Sequence, residues 1–216
     1  MNDRAPKRTE FSVLKKIQIK FRYGMALQAI SSILSRIGIE ITPYYLFQEG
    51  INITEMPEIK GGSVDYSFEM LGPEDMKVIG AINFVRFSEM KLLTLLNSGE
   101  KCIGIKHKGE IAAFMWINFS EFIYKSTAVQ LKSNEAYLYF MNTMESYKGK
   151  NIAPYLRYKS YEILNEMGRD KLYSISDYFN SPAVKFKAKL NSKKLKLIID
   201  IQIFKKLHWN FTLKSY

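Results

Sequence analysis

Between residues 134 and 168 the chain reads NEAYLYFMNTMESYKGKNIAPYLRYKSYEILNEMG. Tyr137 to Met141 is an unbroken run of large apolar and aromatic side chains, which suits a strand buried on both faces. After Glu145, Ser146 and Tyr147, the basic loop Lys148, Gly149, Lys150, Asn151 leads into a helix. That helix carries Ile152, Leu156, Ile163 and Met167 at helical spacing and stops at Gly168. A strand feeding a basic, glycine-containing loop gathers backbone N–H groups and the positive end of the helix dipole at one point. The expected ligand is an anion, a phosphate or pyrophosphate.

The flanking pattern sets this stretch in a series. Residues 64–70 alternate as a strand, and Gly72, Pro73, Glu74 and Asp75 start a helical region that runs to about residue 97. Residues 102–106 and 111–119 form two strands joined at His107, Lys108, Gly109 and Glu110. After the central strand and helix come a strand at 171–176, a short helix at 181–190 and a strand at 196–204. The order β-α-β-β-β-α-β-α-β predicts a mixed α/β sandwich.

Ahead of it, residues 11–39 place Leu14, Ile17, Phe21, Met25, Ile30, Ile33, Leu34 and Ile37 among Lys15, Lys16, Lys20 and Arg22. One or two basic amphipathic helices are expected there, packed on the main domain or lying on a membrane surface. Residues 42–62, with Pro43, Pro57 and the pair Gly61, Gly62, read as a linker with a short extended piece. The expected organisation is an extension and linker over 1–62 and one domain over 63–216.

The net charge of +11 is uneven: residues 1–40 hold 8 Lys+Arg against 3 Asp+Glu, and residues 181–216 hold 9 against 1. Such ends attract an anionic ligand or surface, or serve solubility alone. One cysteine, Cys102, excludes an internal disulfide, and one Cys with two distant His residues is too little for a structural zinc site. No apolar run approaches the roughly 20 residues of a membrane span, and the charged start lacks a secretion signal's apolar core. A cytoplasmic protein without metal is expected. His107 and His208 are expected at the surface and Cys102 as a buried thiol. No nucleic-acid reading motif is present.

The loop residues Lys148, Gly149, Lys150, Asn151, Ile152 and Ala153 resemble the acyl-CoA-binding motif of the GNAT (GCN5-related N-acetyltransferase) superfamily. Lys148 replaces the usual Arg or Gln and Asn151 the first motif Gly; Asn tolerates positive φ best among other residues. Asn180, Ser181, Pro182, Ala183 and Val184 resemble the opening of the second family motif. There Lys187 stands where many members have a general-acid Tyr, and Asn191, Ser192 replace the closing Gly-Phe. The element order is also similar, over about residues 64–206.

The resemblance implies a mixed, mostly antiparallel central sheet flanked by helices, with acetyl-CoA or another acyl-CoA as co-substrate. It also implies acyl transfer from the thioester to a primary amine, through a base that removes the amine's proton. The central strand would offer main-chain groups near Met141 to Thr143 to the thioester, with Asn180 flanking the cofactor. Glu135 precedes Lys148 by 148 − 135 = 13 residues, the offset at which histone-acetylating members place a glutamate base. Tyr178 and Asp177 are alternates. The basic arm resembles that of some bacterial members associated with envelope polysaccharide synthesis, which implies an amino sugar, nucleotide-linked or lipid-linked, as acceptor; small-molecule amines and protein lysines are left open. Contact of residues 11–39 with the inner membrane surface, a homodimer, and a GNAT-shaped binding protein without catalysis are left open.

Overall fold

The computed structural model describes residues 31, 33–50, 55–82, 85, 87–125 and 127–216. Most of the expected N-terminal amphipathic region lies outside these residues; Ser31 and residues 33–36 are helical. In chain order the elements are β1 (Ile39–Glu49), β2 (Tyr66–Leu71), α1 (Pro73–Gly80), α2 (Glu89–Asn97), β3 (Lys101–His107), β4 (Glu110–Asn118), β5 (Glu121–Tyr124) and β6 (Thr127–Gln130). They continue with β7 (Glu135–Thr143), α3 (Ile152–Glu166), β8 (Lys171–Asp177), α4 (Ser181–Lys189), β9 (Lys193–Ile203) and β10 (Leu207–Ser215). Eight strands form one sheet in the order β10-β9-β1-β8-β7-β4-β3-β2, and β5 and β6 form a separate hairpin. Every pair in the large sheet is antiparallel except β7 with β8.

Strand β4 shows why the sheet needs helices on both sides. Its residues Ile111 to Ile117 are all buried, and alternate members enter two cores. Ala113, Met115 and Ile117 pack with Ile152, Leu156 and Leu164 of α3, while Phe114 and Trp116 pack with Met76 and Ile79 of α1 and Leu92 of α2. Burying side chains of this size stabilises by about 1.5–3 kcal/mol each. The expected hairpin between β3 and β4 turns through Lys108 and Gly109, at φ 51° and 85°, which Gly and a short turn allow.

The stretch expected as a linker is corrected in its first part. Ile39–Glu49 is an eleven-residue strand inside the sheet, paired with β9 on one side and β8 on the other, so a division at residue 62 does not separate the sheet from what precedes it. Pro43 disguised this strand, because a Pro without an N–H weakens an interior ladder. Here its carbonyl accepts from the Tyr178 N–H just past the last β1–β8 pair, so the missing donor falls at the end of that ladder. The remainder of the linker is tied to the domain. Ile59 is buried in the α3-side core, Lys60 N–H donates to the Lys150 carbonyl, and Asn151 Nδ2 donates to the Glu58 carbonyl. β10 and the β5–β6 hairpin are further elements that the sequence pattern did not announce. No described helix is long and apolar enough to cross a membrane.

A chain begun at residue 63 lacks β1 and leaves β8 and β9 unpaired toward each other. It should show no cooperative thermal transition by circular dichroism; a cooperative transition would mean that β1 is dispensable.

Candidate active site

Strands β7 and β8 are joined over three rungs only, Glu135 with Lys171, Ala136 with Leu172 and Tyr137 with Tyr173. Beyond them β7 follows β4 as far as Thr143, and β8 follows β1 as far as Asp177, so the two strands part. A bulge in β7 drives the parting. Between the pairs Tyr139 with Trp116 and Asn142 with Phe114, β7 holds one residue more than β4, which bends the strand. The extra residue needs Phe140 at φ 43°, a conformation that a bulky side chain adopts only under constraint. The rings of Phe87 and Phe114 supply it, edge-on at 4.9 and 5.5 Å.

The gap is a cleft of about 520 Å³ lined by residues 137–141 of β7 and 175–177 of β8, by Asn180, Phe186 and Lys187 at α4, and by Arg157 of α3. The β5–β6 hairpin closes one flank, with Phe122 stacked on Tyr137 at 4.6 Å and Tyr124 edge-on to Tyr44 at 4.6 Å.

Beside the cleft lies a buried ionic network that joins four elements. Glu49, at the end of β1, is fully buried. Its carboxylate is 3.4 Å from Arg157 Nε and 3.4 Å from Lys187 Nζ, and accepts from Tyr161 OH at 2.5 Å and from Ser174 Oγ. Lys187 Nζ also donates to Ser174 Oγ at 2.6 Å and to the Ile175 carbonyl at 3.2 Å, and sits 4.7 Å over the Phe47 ring. Burial acts most strongly on both charges, in opposite senses. It pushes the Glu49 carboxyl up, but Arg157, Lys187 and the two hydroxyls together hold it down at about 2. For Lys187 burial and the like charge of Arg157 prevail over Glu49, and its ammonium falls to about 8.

A second cavity, about 410 Å³, shares Phe87, Ile123, Tyr137 and Tyr139 with the cleft and adds Lys91, Glu100, Asn118 and Glu121. Burial raises the Glu100 carboxyl above its ordinary range, against the Tyr139 hydroxyl that donates to it, Asn118 and Lys91. The cleft is therefore flanked by two cations on the α3 and α4 side and by carboxylates, Glu100, Glu121 and Asp177, on the other.

The loop before α3 takes the conformation expected of it: Gly149 and Asn151 have φ 78° and 67°. Asn151 does not cap α3 with its side chain, because that amide is turned to Glu58. The N–H groups of Ile152 and Ala153 in the first turn of α3 thus receive no side-chain cap from Asn151, and Pro154 has no N–H. Lys148 meets this loop's other end, 2.5 Å from Glu145. Ile152 is buried in the core and Ala153 half-buried. Arg157 lies five residues into α3 from Ile152, about 7.5 Å along the axis, so one helix connects loop and cleft.

The other expected site residues divide. Met141 and Asn180 line the cleft, and Asn180 caps α4 by accepting from the Ala183 N–H at 3.2 Å; Thr143, at the far end of β7, does not line it. Glu135 stands at the joined end of β7 and β8, away from the cleft lining, its carboxylate held by the Lys132 N–H at 3.0 Å and the Tyr173 hydroxyl at 3.2 Å. Tyr178 lies against Tyr45 with ring centroids at 5.4 Å and lines a different, apolar hollow with Ile199 and Leu213. Asp177 does line the cleft, accepting from Tyr124 OH at 2.5 Å.

The lysines of α4 divide, and on α3 the buried face expected to include Met167 is corrected. Lys185 and Lys189 are exposed, but Lys187 turns inward, because α4 presents one face to β8 and Glu49 offers it a counter-charge. On α3 the buried face is Ile152, Leu156, Arg157, Ser160, Tyr161 and Leu164, and Met167 is exposed. His107 is half-buried, Nδ1 at 3.1 Å from Tyr147 OH and its ring over Tyr66, whereas His208 is exposed and Cys102 buried. Sequence reasoning missed Glu49, Arg157 and Glu100. Arg157 alone carried a signal, a cation at the spacing of the helix's apolar face.

Glu49 dictates an acid limb of stability. Its folded value, about 2, lies below the unfolded 4.5, so its contribution is complete above pH 4.5 and lost as the pH falls through about 2. Glu49→Gln, which leaves two buried cations uncompensated, should cost about 3–5 kcal/mol at neutral pH and flatten that limb. Denaturant unfolding followed across the acid range measures both.

The sequence matches no protein-family model and no curated protein. Solved structures do match. A GNAT-family acetyltransferase from Colwellia psychrerythraea aligns at TM-score 0.58 and 16% identity over 76% of this chain. A Drosophila protein aligns at 0.56 and 13% over 84%, and a tandem GNAT protein from the clavulanic acid biosynthesis pathway at 0.53 and 12% over 86%. This chain spans 57%, 58% and 58% of those three chains. With the parted β7 and β8, the glycine loop opening α3 and these alignments together, the chain has the GNAT fold.

Proposed function

We propose that the chain is an acyl-CoA-dependent N-acyltransferase, with acetyl-CoA as donor and a primary amine as acceptor. The observation that carries this reading is the parting of β7 from β8 beside the loop that opens α3. An anion site at Lys148 to Ala153 suits the cofactor's pyrophosphate, and the cleft gives its thioester arm a path along unpaired main-chain groups of β7. A backbone N–H near the bulge, at Met141, polarises the thioester carbonyl. Asn180 borders the same path.

The acceptor enters from the side of the second cavity. An amine is cationic before it reacts, and Glu100, Glu121 and Asp177 suit that charge. The rings of Phe87, Tyr137 and Tyr139 offer flat faces, and Asn118 a polar group, so an amino sugar fits the cavity's chemistry. We assign the base to Glu100 rather than to Glu135, because Glu100 faces the cavity that adjoins the cleft and burial raises its proton affinity toward the range a base needs.

Acetyl-CoA binding is measurable by calorimetry without knowledge of the acceptor. Gly149→Glu places bulk and negative charge in the loop and should abolish binding there; unaltered affinity would remove the loop from the site. Once an acceptor is found by screening amino sugars and polyamines for thiol release, Glu100→Gln should lower kcat about 100-fold and erase the acidic limb of its pH profile. That limb should lie above the ordinary carboxylate range. Glu135→Gln should leave kcat nearly unchanged, and the reverse result would return the base to Glu135.

A further inference from the structure

The buried network beside the cleft has an unbalanced charge. Arg157 and Lys187 bring two positive charges and Glu49 brings one negative, and Arg157 and Lys187 are only 3% and 2% exposed. Arg157 is also incompletely hydrogen-bonded: Nε meets the Glu49 carboxylate only as an ion pair at 3.4 Å, and Nη1 has no hydrogen bond among the described residues. Leaving a buried donor unpaired is costly, and an excess buried cation costs more. Both side chains line the cleft. A network that served packing alone would be more stable neutral, so the surplus charge points to an anion received in the cleft.

The proposed reaction generates one there. The amine, entering as an ammonium, gives one proton to solvent before attack; its nitrogen then forms a bond to the thioester carbon, its second proton passes to Glu100, and the C–S bond breaks with its electron pair on sulfur. Of the cofactor's other anionic groups, the pyrophosphate is assigned above to the start of α3, and the ribose 3′-phosphate lies at the opposite end of the molecule from the sulfur. Resting on the acyl-CoA reading, we infer that Arg157 and Lys187 form a thiolate site, which holds the departing sulfur of CoA as an anion. Fixed charges in a site shielded from water act on a developing anion far more strongly than they would in solvent. Lys187 occupies the position where a hydroxyl acid would be expected, and with Arg157 it stabilises the leaving sulfur by charge, so no proton needs to be delivered as the bond breaks. The ionisable groups around the sulfur's place are Glu49 and Tyr161 on one side and Tyr137, Tyr124 and Asp177 on the other, and sulfur and ammonium titrate as a coupled pair.

The test titrates CoA bound to the intact protein, with the ultraviolet absorbance of the thiolate as the signal and S-methyl-CoA, which cannot ionise, as the blank. The bound thiol should ionise at least about one pH unit below free CoA, which is about tenfold in thiolate affinity. CoA binding should therefore tighten with rising pH through the neutral range, while S-methyl-CoA binding should not. Lys187→Met, which neutralises the network, should return the thiol to its free value, and Lys187→Arg should keep the shift. A purely structural lysine would leave the absorbance titration unmoved. If CoA binds but its thiol ionises as in free solution, the thiolate site is wrong and the acyl-CoA reading stands. If neither CoA nor S-methyl-CoA binds at all, the acyl-CoA reading falls and the thiolate site falls with it.

Discussion

Glu49 is the point at which the halves of the sheet are held to their helices. It ends β1, and its carboxylate is reached by Arg157 and Tyr161 from α3, Ser174 from β8 and Lys187 from α4. A carboxylate taken out of water is tolerated only when its lone pairs are filled and its charge answered, and here four residues do both. Hydrophobic contacts alone would let α3 and α4 slide on the sheet. The ionic network fixes their register and so fixes where their side chains stand beside the cleft. It contributes specificity more than net stability, since desolvation of three charges offsets most of their attraction.

The cleft arises from the opposing behaviour of two neighbours. β8 is held straight by β1, six consecutive pairs from Tyr44 to Glu49, whereas β7 is bent by its bulge with β4. Neither alone would open the sheet. The strain at Phe140 is borne by two aromatic contacts, so side chains on the α1 and α2 side of the sheet help to hold the gap open. The hairpin of β5 and β6 then narrows the gap with Phe122 and Tyr124.

Much of this was legible in the sequence, and the part that was not has physical causes. The apolar run at Tyr137 to Met141, the basic loop and the helix after it were legible because pattern, turn residue and cap agreed over one short stretch, and Asn151 stands in the positive-φ position that its residue type allows. β1 was hidden by Pro43, whose cost depends on which rung of which ladder it meets. β10, with Leu207, Trp209, Phe211 and Leu213 alternating, was masked by its setting in a lysine-rich tail. Glu49, Arg157, Lys187 and Glu100 were hidden for a different reason. A charged residue reads as a surface residue until its counter-charge is known, and Glu49 meets Arg157 and Lys187 across 108 and 138 residues of chain (157 − 49 and 187 − 49).

That same long-range pairing explains how the departures from the resembling family's pattern fit together. Asn151 keeps the loop's backbone, and Asn191, standing for the closing glycine, likewise takes positive φ, at 53°. Lys187 cannot be absorbed in this way, because a buried ammonium requires an acid nearby. Glu49 is that acid, and Arg157 adds a second cation that leaves the network with one positive charge in excess. Lys187, Glu49 and Arg157 are therefore one ionic unit, distributed over α4, β1 and α3. The result polarises the cleft, with cations on its α3 and α4 side and carboxylates on the other. In the acyl transfer proposed above, negative charge moves onto sulfur and a proton leaves nitrogen, which is the direction along which these fixed charges are arranged.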